Sequence, residues 1–204
     1  MTQQHTTRRP PAMGAHAPTR LTSNRVVARA RANIALAKYW GKNDLALNLP
    51  AVPSISLTLD GLLTETEVSY DATLRTDRVS LDGRRASKAE RARVVRMLDR
   101  IRETSGETRF AHVRSVNHFP TAAGLASSAS GFAALAAAAT TAADLRWSVR
   151  KQSALARWAS ASAARSFFGG FAELPAGKPG DDRLAGKPLF DEHHWDVRLV
   201  VAVT

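Results

Sequence analysis

The chain of 204 residues contains no cysteine. Disulfides, thiolate nucleophiles and Cys-ligated zinc are therefore excluded, and nothing points to an oxidising compartment; a reducing cytoplasm is the expected setting. No apolar run is long enough to cross a bilayer as a helix, so no membrane partnership is expected. Acids are scarce, 18 against 29 basic residues. The first 24 residues carry Arg8, Arg9 and Arg20, no acid and no continuous apolar core of the kind a secretory signal needs. Residues 1–24 are expected to form a disordered basic leader. No internal repeat is visible, and the adjacent His193 and His194 lack the spacing of a metal pair on a helix, so no metal site is expected.

A formal net charge of +11 remains to be explained. Such a surplus attracts nucleic acid, acidic membrane or small polyanions without choosing among them. The arginines are scattered rather than gathered in a block interleaved with aromatics, so nucleic acid is not expected as a partner. With 44% hydrophobic residues the chain can bury one substantial core.

Periodicity predicts a strand over 26–36, a polar loop over 43–53, and two half-buried strands at 55–59 and 64–70 joined as a hairpin around Gly61. Ile55, Leu57 and Leu59 form the apolar face of the first. A short strand over 78–81 closes at Asp82-Gly83. Ser87 and Glu90 form a capping-box pair, and Gly106 stops an amphipathic helix over 87–105. A strand follows at 110–117. Ser148 caps a helix running to about 164, residues 173–190 read as a Gly/Pro loop, and 197–203 as a buried strand.

Residues 119–131 read FPTAAGLASSASG and open directly onto an alanine-rich helix. A helix N-terminus presents unpaired N–H groups and the positive end of its dipole, so the segment is a candidate polyphosphate cradle. Gly124 permits close backbone approach, and Ser127 and Ser128 add hydroxyls in the first turn. A capped core helix following a turn explains the same residues equally well.

Four segments resemble one family jointly: ANIALAKYWGK at 32–42, NLPAVPSISLTLD at 48–60, FPTAAGLASSASG at 119–131 and SASAARSFFGGF at 160–171. In order and spacing they resemble the diphosphomevalonate decarboxylases of the GHMP kinase superfamily, over about residues 25–204. The resemblance implies an α+β fold of the ribosomal protein S5 domain 2-like type, a mixed sheet with helices on one face. It divides the chain into the leader, an ATP- and substrate-binding domain at 25–190, and at 191–204 the first strand of a second layer that is mostly missing.

The resemblance implies ATP-dependent decarboxylation of diphosphomevalonate to isopentenyl diphosphate in the mevalonate pathway, with Mg2+ accompanying ATP and a homodimer as the usual assembly. Tyr39 and Lys42 resemble the residues that hold the substrate diphosphate, with Lys38 adding charge. Ser162 and Arg165 match a pair in which the serine holds the substrate and the arginine grips its carboxylate, and Asn33 resembles the residue that orients this arginine. Gly124, Leu125, Ala126, Ser127 and Ser128 match the ATP loop, and Arg78, or equally Arg75, is placed near the phosphates. Lys38, Ser128 and Arg165 are the catalytic candidates. Ala159 and Ala161 stand where relatives often have glycine, and Asn43 where many have a basic residue.

The family's catalytic aspartate is expected beyond Thr204, which implies little or no turnover by this chain alone. A mevalonate 3-kinase or phosphomevalonate decarboxylase shares the ATP loop and changes only the pocket. A noncatalytic basic RNA-associated protein and a regulatory pseudoenzyme are the readings from other classes.

Overall fold

The computed structural model describes residues 14–22, 24–38, 40–120 and 127–200. Its elements in chain order are β1 (Ala15–Thr22), β2 (Arg25–Ala37), β3 (Lys42–Asp44), β4 (Leu49–Pro50), β5 (Ser54–Asp71), β6 (Arg78–Leu81), β7 (Arg84–Arg85), α1 (Lys88–Ser105), β8 (Phe110–Asn117), α2 (Ser127–Ala142), α3 (Val149–Ala159), a 3-10 helix (Ala161–Phe167), β9 (Phe171–Leu174) and β10 (Lys187–Phe190). The main sheet runs β1-β2-β5-β8-β6-β7, with β9 pairing β5 and β10 pairing β9. It is mixed: β6 and β8 are parallel across the α1 crossover, and the other pairs are antiparallel. This is the α+β architecture anticipated.

Along β2, Val26, Ala28, Ala30 and Ala32 face inward beneath α2, itself buried almost all round through Ala133, Ala134, Ala136, Ala137, Ala138 and Ala139. Small residues on both surfaces bring helix and sheet close. On the opposite face Arg25 pairs with Glu67 at 2.6 Å and Arg29 with Glu65 at 2.7 Å, a polar surface consistent with helices on one side only. The helix α1 starts where its local code dictates. Glu90 N donates to Ser87 Oγ at 3.3 Å, Ser87 N donates to Glu90 Oε2 at 2.8 Å, and Gly106 ends the helix at φ 73. Its buried face is Val94, Met97, Leu98 and Ile101, each contributing roughly 1.5–3 kcal/mol by burial.

Several expectations are corrected. Residues 15–22, placed in a structureless leader, form edge strand β1 on β2; Arg20 anchors it to the end of α2 through Thr141 O at 2.6 Å and Asp144 at 2.7 Å. The hairpin at Gly61 does not exist, and β5 runs unbroken from Ser54 to Asp71. Between Arg31↔Leu63 and Asn33↔Thr58, two steps along β2 are matched by five along β5, so a bulge at Gly61 bends the strand instead of reversing it.

The third helix stops at Ala159 because Ser160 is extended, at φ −154, and the chain tightens into the 3-10 helix. The expected Gly/Pro loop is bounded by two paired strands, β9 overlapping its start and β10 closing it, with Phe171 and Phe190 in T-shaped contact at 6.3 Å. Of the expected strand at 197–203, residues 197–200 carry no regular structure and are largely exposed; the remainder falls outside the described residues. Among the described residues no helix is long and apolar enough to cross a membrane.

Candidate functional site

The 3-10 helix carries Arg165 directly into β9, and β9 pairs with β5 through Ser54↔Leu174 and Ser56↔Ala172. That register sets the guanidinium against the first turns of β5. Arg165 is only 2% exposed. It donates through Nε to Ser56 Oγ at 2.8 Å, through one terminal nitrogen to Ser54 Oγ, and through the other to Asn33 Oδ1 at 3.3 Å. Asn33 in turn donates to Ser166 Oγ at 2.7 Å and to the carbonyl of Ser162 at 3.1 Å. The amide therefore fixes both the arginine and the turn that bears it. Ser162 Oγ lies 3.2 Å from Ser160 Oγ.

Ser54 and Ser56 escaped the sequence reading. Alternation marked Ile55, Leu57 and Leu59 as the inward face, yet both serines are fully buried and the apolar residues only half so. A buried guanidinium needs oxygen acceptors, and that demand overrides apolar patterning. The signal was present in the Ser-x-Ser spacing, which puts two hydroxyls on one face of a strand. The glycine pair ending ARSFFGGF has a backbone reason: Gly170 sits at φ +62, and a Cβ there would strike the carbonyl of Phe190.

A cavity of about 170 Å³ opens at the serine-bearing end of α2. It is lined by Ser127, Ser128 and Gly131 of α2, by Asp82 and Arg84 beyond β6, and by Glu90 and Arg93 of α1. Hydroxyls, guanidinium groups and the positive end of a 16-residue helix suit phosphate oxygens. The carboxylates on its wall are engaged: Asp82 accepts from Asn117 N at 2.7 Å, and Glu90 accepts from Arg84 at 2.7 and 2.9 Å. The Arg84 hydrogen bonds, with those from Ser87, hold the Glu90 carboxyl down at about 2. A second cavity, of about 220 Å³, is lined by Lys42, Arg93, Arg96, Asn48, Trp158 and Ala159 among others, with three cations and no acid on its wall.

The predicted residues thus fall into connected groups. Asn33, Ser162 and Arg165 form one buried cluster, Ser127 and Ser128 line the first cavity, and Lys42 lines the second. Ala159 of the second cavity leads through Ser160 to Ser162 and the arginine cluster. Lys38 is exposed just past the end of β2. Arg78 is exposed at the start of β6, while the cavity is reached only at Leu81, roughly 10 Å further along the strand. The arginines lining the cavity are Arg84 and Arg93. Tyr39, Gly124, Leu125 and Ala126 lie outside the described residues. Among the described residues no group of three His, Cys, Asp or Glu side chains is placed to hold a metal.

The described residues thus form an α+β layer with one cavity at the serine-bearing end of α2 and a second, lined by three cations, at the end of α3. Residues 30–185 match the model of the diphosphomevalonate decarboxylase-like N-terminal domain, and the chain belongs to this family. It is 39% identical over 196 residues to the diphosphomevalonate decarboxylase of Rattus norvegicus, covering 87% of this chain and 48% of the relative. The mevalonate diphosphate decarboxylase from Enterococcus faecalis, whose structure is described as showing a mevalonate diphosphate mediated ATP binding mechanism, superposes with a TM-score of 0.76 at 44% identity, over 81% of this chain and 51% of that one. A structure described as MDDEF in complex with MVAPP, AMPPCP and magnesium gives the same TM-score and identity over 81% of this chain and 50% of that one. The chain spans about half the length of the relatives it matches.

Proposed function

We propose that this chain supplies the nucleotide cradle and the substrate-orienting arginine of an ATP-dependent decarboxylase that converts diphosphomevalonate to isopentenyl diphosphate. The observation that carries the reading is the buried cluster in which Asn33, Ser54, Ser56, Ser162 and Arg165, from three distant stretches of sequence, hold one guanidinium in a fixed orientation. A planar fork fixed in this way suits a carboxylate, and its charge persists at any working pH.

In this reaction the γ-phosphoryl group of ATP passes to the tertiary 3-hydroxyl, phosphate leaves with positive charge developing at that carbon, and carbon dioxide departs as its C–C electron pair forms the alkene. The chain's own residues act by binding and orientation. Ser127, Ser128, Arg84 and the end of α2 receive nucleotide phosphates, Lys42 and Arg96 receive the substrate diphosphate, and Arg165 holds the carboxylate so that the C–C bond is aligned for cleavage. Magnesium would travel with the nucleotide, held beside Ser127 and Ser128, and would supply neutralisation of phosphate charge there. A cytoplasmic setting and a homodimer belong to this reading.

Calorimetric titration of the 204-residue chain with AMPPCP and magnesium, and separately with mevalonate, phosphomevalonate and diphosphomevalonate, tests it. Diphosphomevalonate is expected to bind tightest, and the full-length counterpart to release ADP and carbon dioxide from it. Tightest binding of mevalonate or phosphomevalonate transfers the assignment to the 3-kinase or monophosphate enzyme. Salt-sensitive RNA binding with indifference to AMPPCP overturns it.

A further inference from the structure

Arg93 is shared by the linings of both cavities. It projects from α1 and lines both the space beside Ser127 and Ser128 and the space beside Lys42. Its guanidinium lies over the Phe132 ring of α2, 4.5 Å from the centroid, and donates to the carbonyl of Ala159 at the end of α3 at 3.2 Å. Stacked on one helix and tied to another, the side chain has little freedom to swing away.

Its electrical surroundings differ from those of Arg84. Arg84, on the wall of the first cavity, is neutralised by Glu90 at 2.7 Å. Arg93 has no carboxylate partner among the described residues, and its neighbours in the second cavity are Lys42 and Arg96. Burial, and then the charge of Arg96, draws its pKa down, the sign expected of a cation held among apolar and like-charged groups. Clustered cations without counter-charge are costly unless an anion offsets them.

We propose that Arg93 is a positioning residue that lies between the nucleotide phosphates on one side and the substrate diphosphate on the other, so that each anion strengthens the binding of the other. The inference rests on the reading above and adds to it the group that joins the two sites. Two polyphosphates in neighbouring cavities repel; a rigid fork with five N–H donors between them offers hydrogen bonds in both directions and cancels part of that repulsion. The effect is reciprocal by linkage. Among the cations described, Lys42 and Arg96 line only the second cavity and Arg84 only the first.

The test is the ratio of AMPPCP dissociation constants, with magnesium, measured without and with saturating diphosphomevalonate. The wild-type ratio is expected within the usual range of coupling, about 5- to 150-fold. Arg93→Gln is expected to bring it close to unity, Arg93→Lys to leave an intermediate value, and Arg150→Gln, which removes an exposed charge elsewhere, to leave it as in wild type. A purely structural role for Arg93 weakens both ligands alike without moving the ratio, and that result, or a wild-type ratio of one, overturns the inference while leaving the proposed function standing. If the wild-type chain binds neither ligand, the functional reading fails and this inference with it.

Discussion

Two arginines eight residues apart are both buried, and they are caged in opposite ways. Arg157 of α3, 1% exposed, directs Nε to Leu184 O at 2.8 Å, one terminal nitrogen to Leu47 O and the other to Asp182 O at 2.9 Å. Every one of these acceptors is a backbone carbonyl. Arg165 meets two hydroxyls and an amide oxygen, all on side chains. Carbonyl acceptors belong to the chain trace, so Arg157 fastens the 45–48 turn and the 182–184 loop to α3 and cannot release them without loss of structure. Hydroxyls rotate, so the setting of Arg165 can hold the guanidinium and still adjust to a ligand. Burial, with a smaller push from Arg100, lowers the Arg157 pKa to about 10; the cost of that desolvation is repaid in chain connectivity.

The sharpest test of this contrast is Arg157→Met. It strands three part-buried carbonyls and empties a buried site, and a stability loss on the order of 3 kcal/mol is expected in urea unfolding. An unchanged midpoint would erase the distinction between the two arginines.

The combined Ser54→Ala and Ser56→Ala variant comes next. It removes two hydrogen bonds to a charged group, worth roughly 1.5–3 kcal/mol each at most. Diphosphomevalonate affinity is expected to fall by about tenfold or more in addition to the loss of stability, whereas Arg157→Lys should lower stability and leave affinity unchanged. Equal effects of both variants on binding would remove the functional half of the comparison.

The smallest effect belongs to an exposed arginine, Arg84, through its partner Glu90. Because the folded carboxyl sits near 2, below its ordinary 4.5, the unfolded chain takes up the proton first as pH falls. The contribution is present above pH 4.5 and is lost progressively between there and about 2. Glu90→Gln should lower stability slightly at neutral pH and flatten the acid limb in that window, as read by thermal melts. Solvent screening keeps the change small.

What the sequence made legible was local. The helix α1 was readable because its start and stop are written in Ser87, Glu90 and Gly106, all within reach of the helix itself. The family segments put forward Arg165, Asn33, Ser127, Ser128 and Lys42 as candidates because each sits in a short pattern. Long-range demands stayed hidden. The burial of Ser54 and Ser56 is imposed by an arginine more than 100 residues away, and the continuity of β5 through Gly61 is imposed by β2. The strand β1 exists because β2 offers it an edge, which its own Pro- and Arg-containing sequence does not announce. Nothing in the local pattern separates Arg157 from the other basic residues of α3, or Arg93 from those of α1; only packing does.

The single strand β5 carries Ser54 and Ser56 under Arg165 at one end and Thr66 on the wall of the α2 cavity further along. One continuous backbone therefore acts as a common ruler for both halves of the site. One extra residue inserted after Ser56 would turn every later side chain over to the opposite face unless the bulge absorbed it. The gap between the two halves can be tuned by reshaping the bend at Gly61, and that bend is the natural place for an engineer to lengthen or shorten the reach of the pocket.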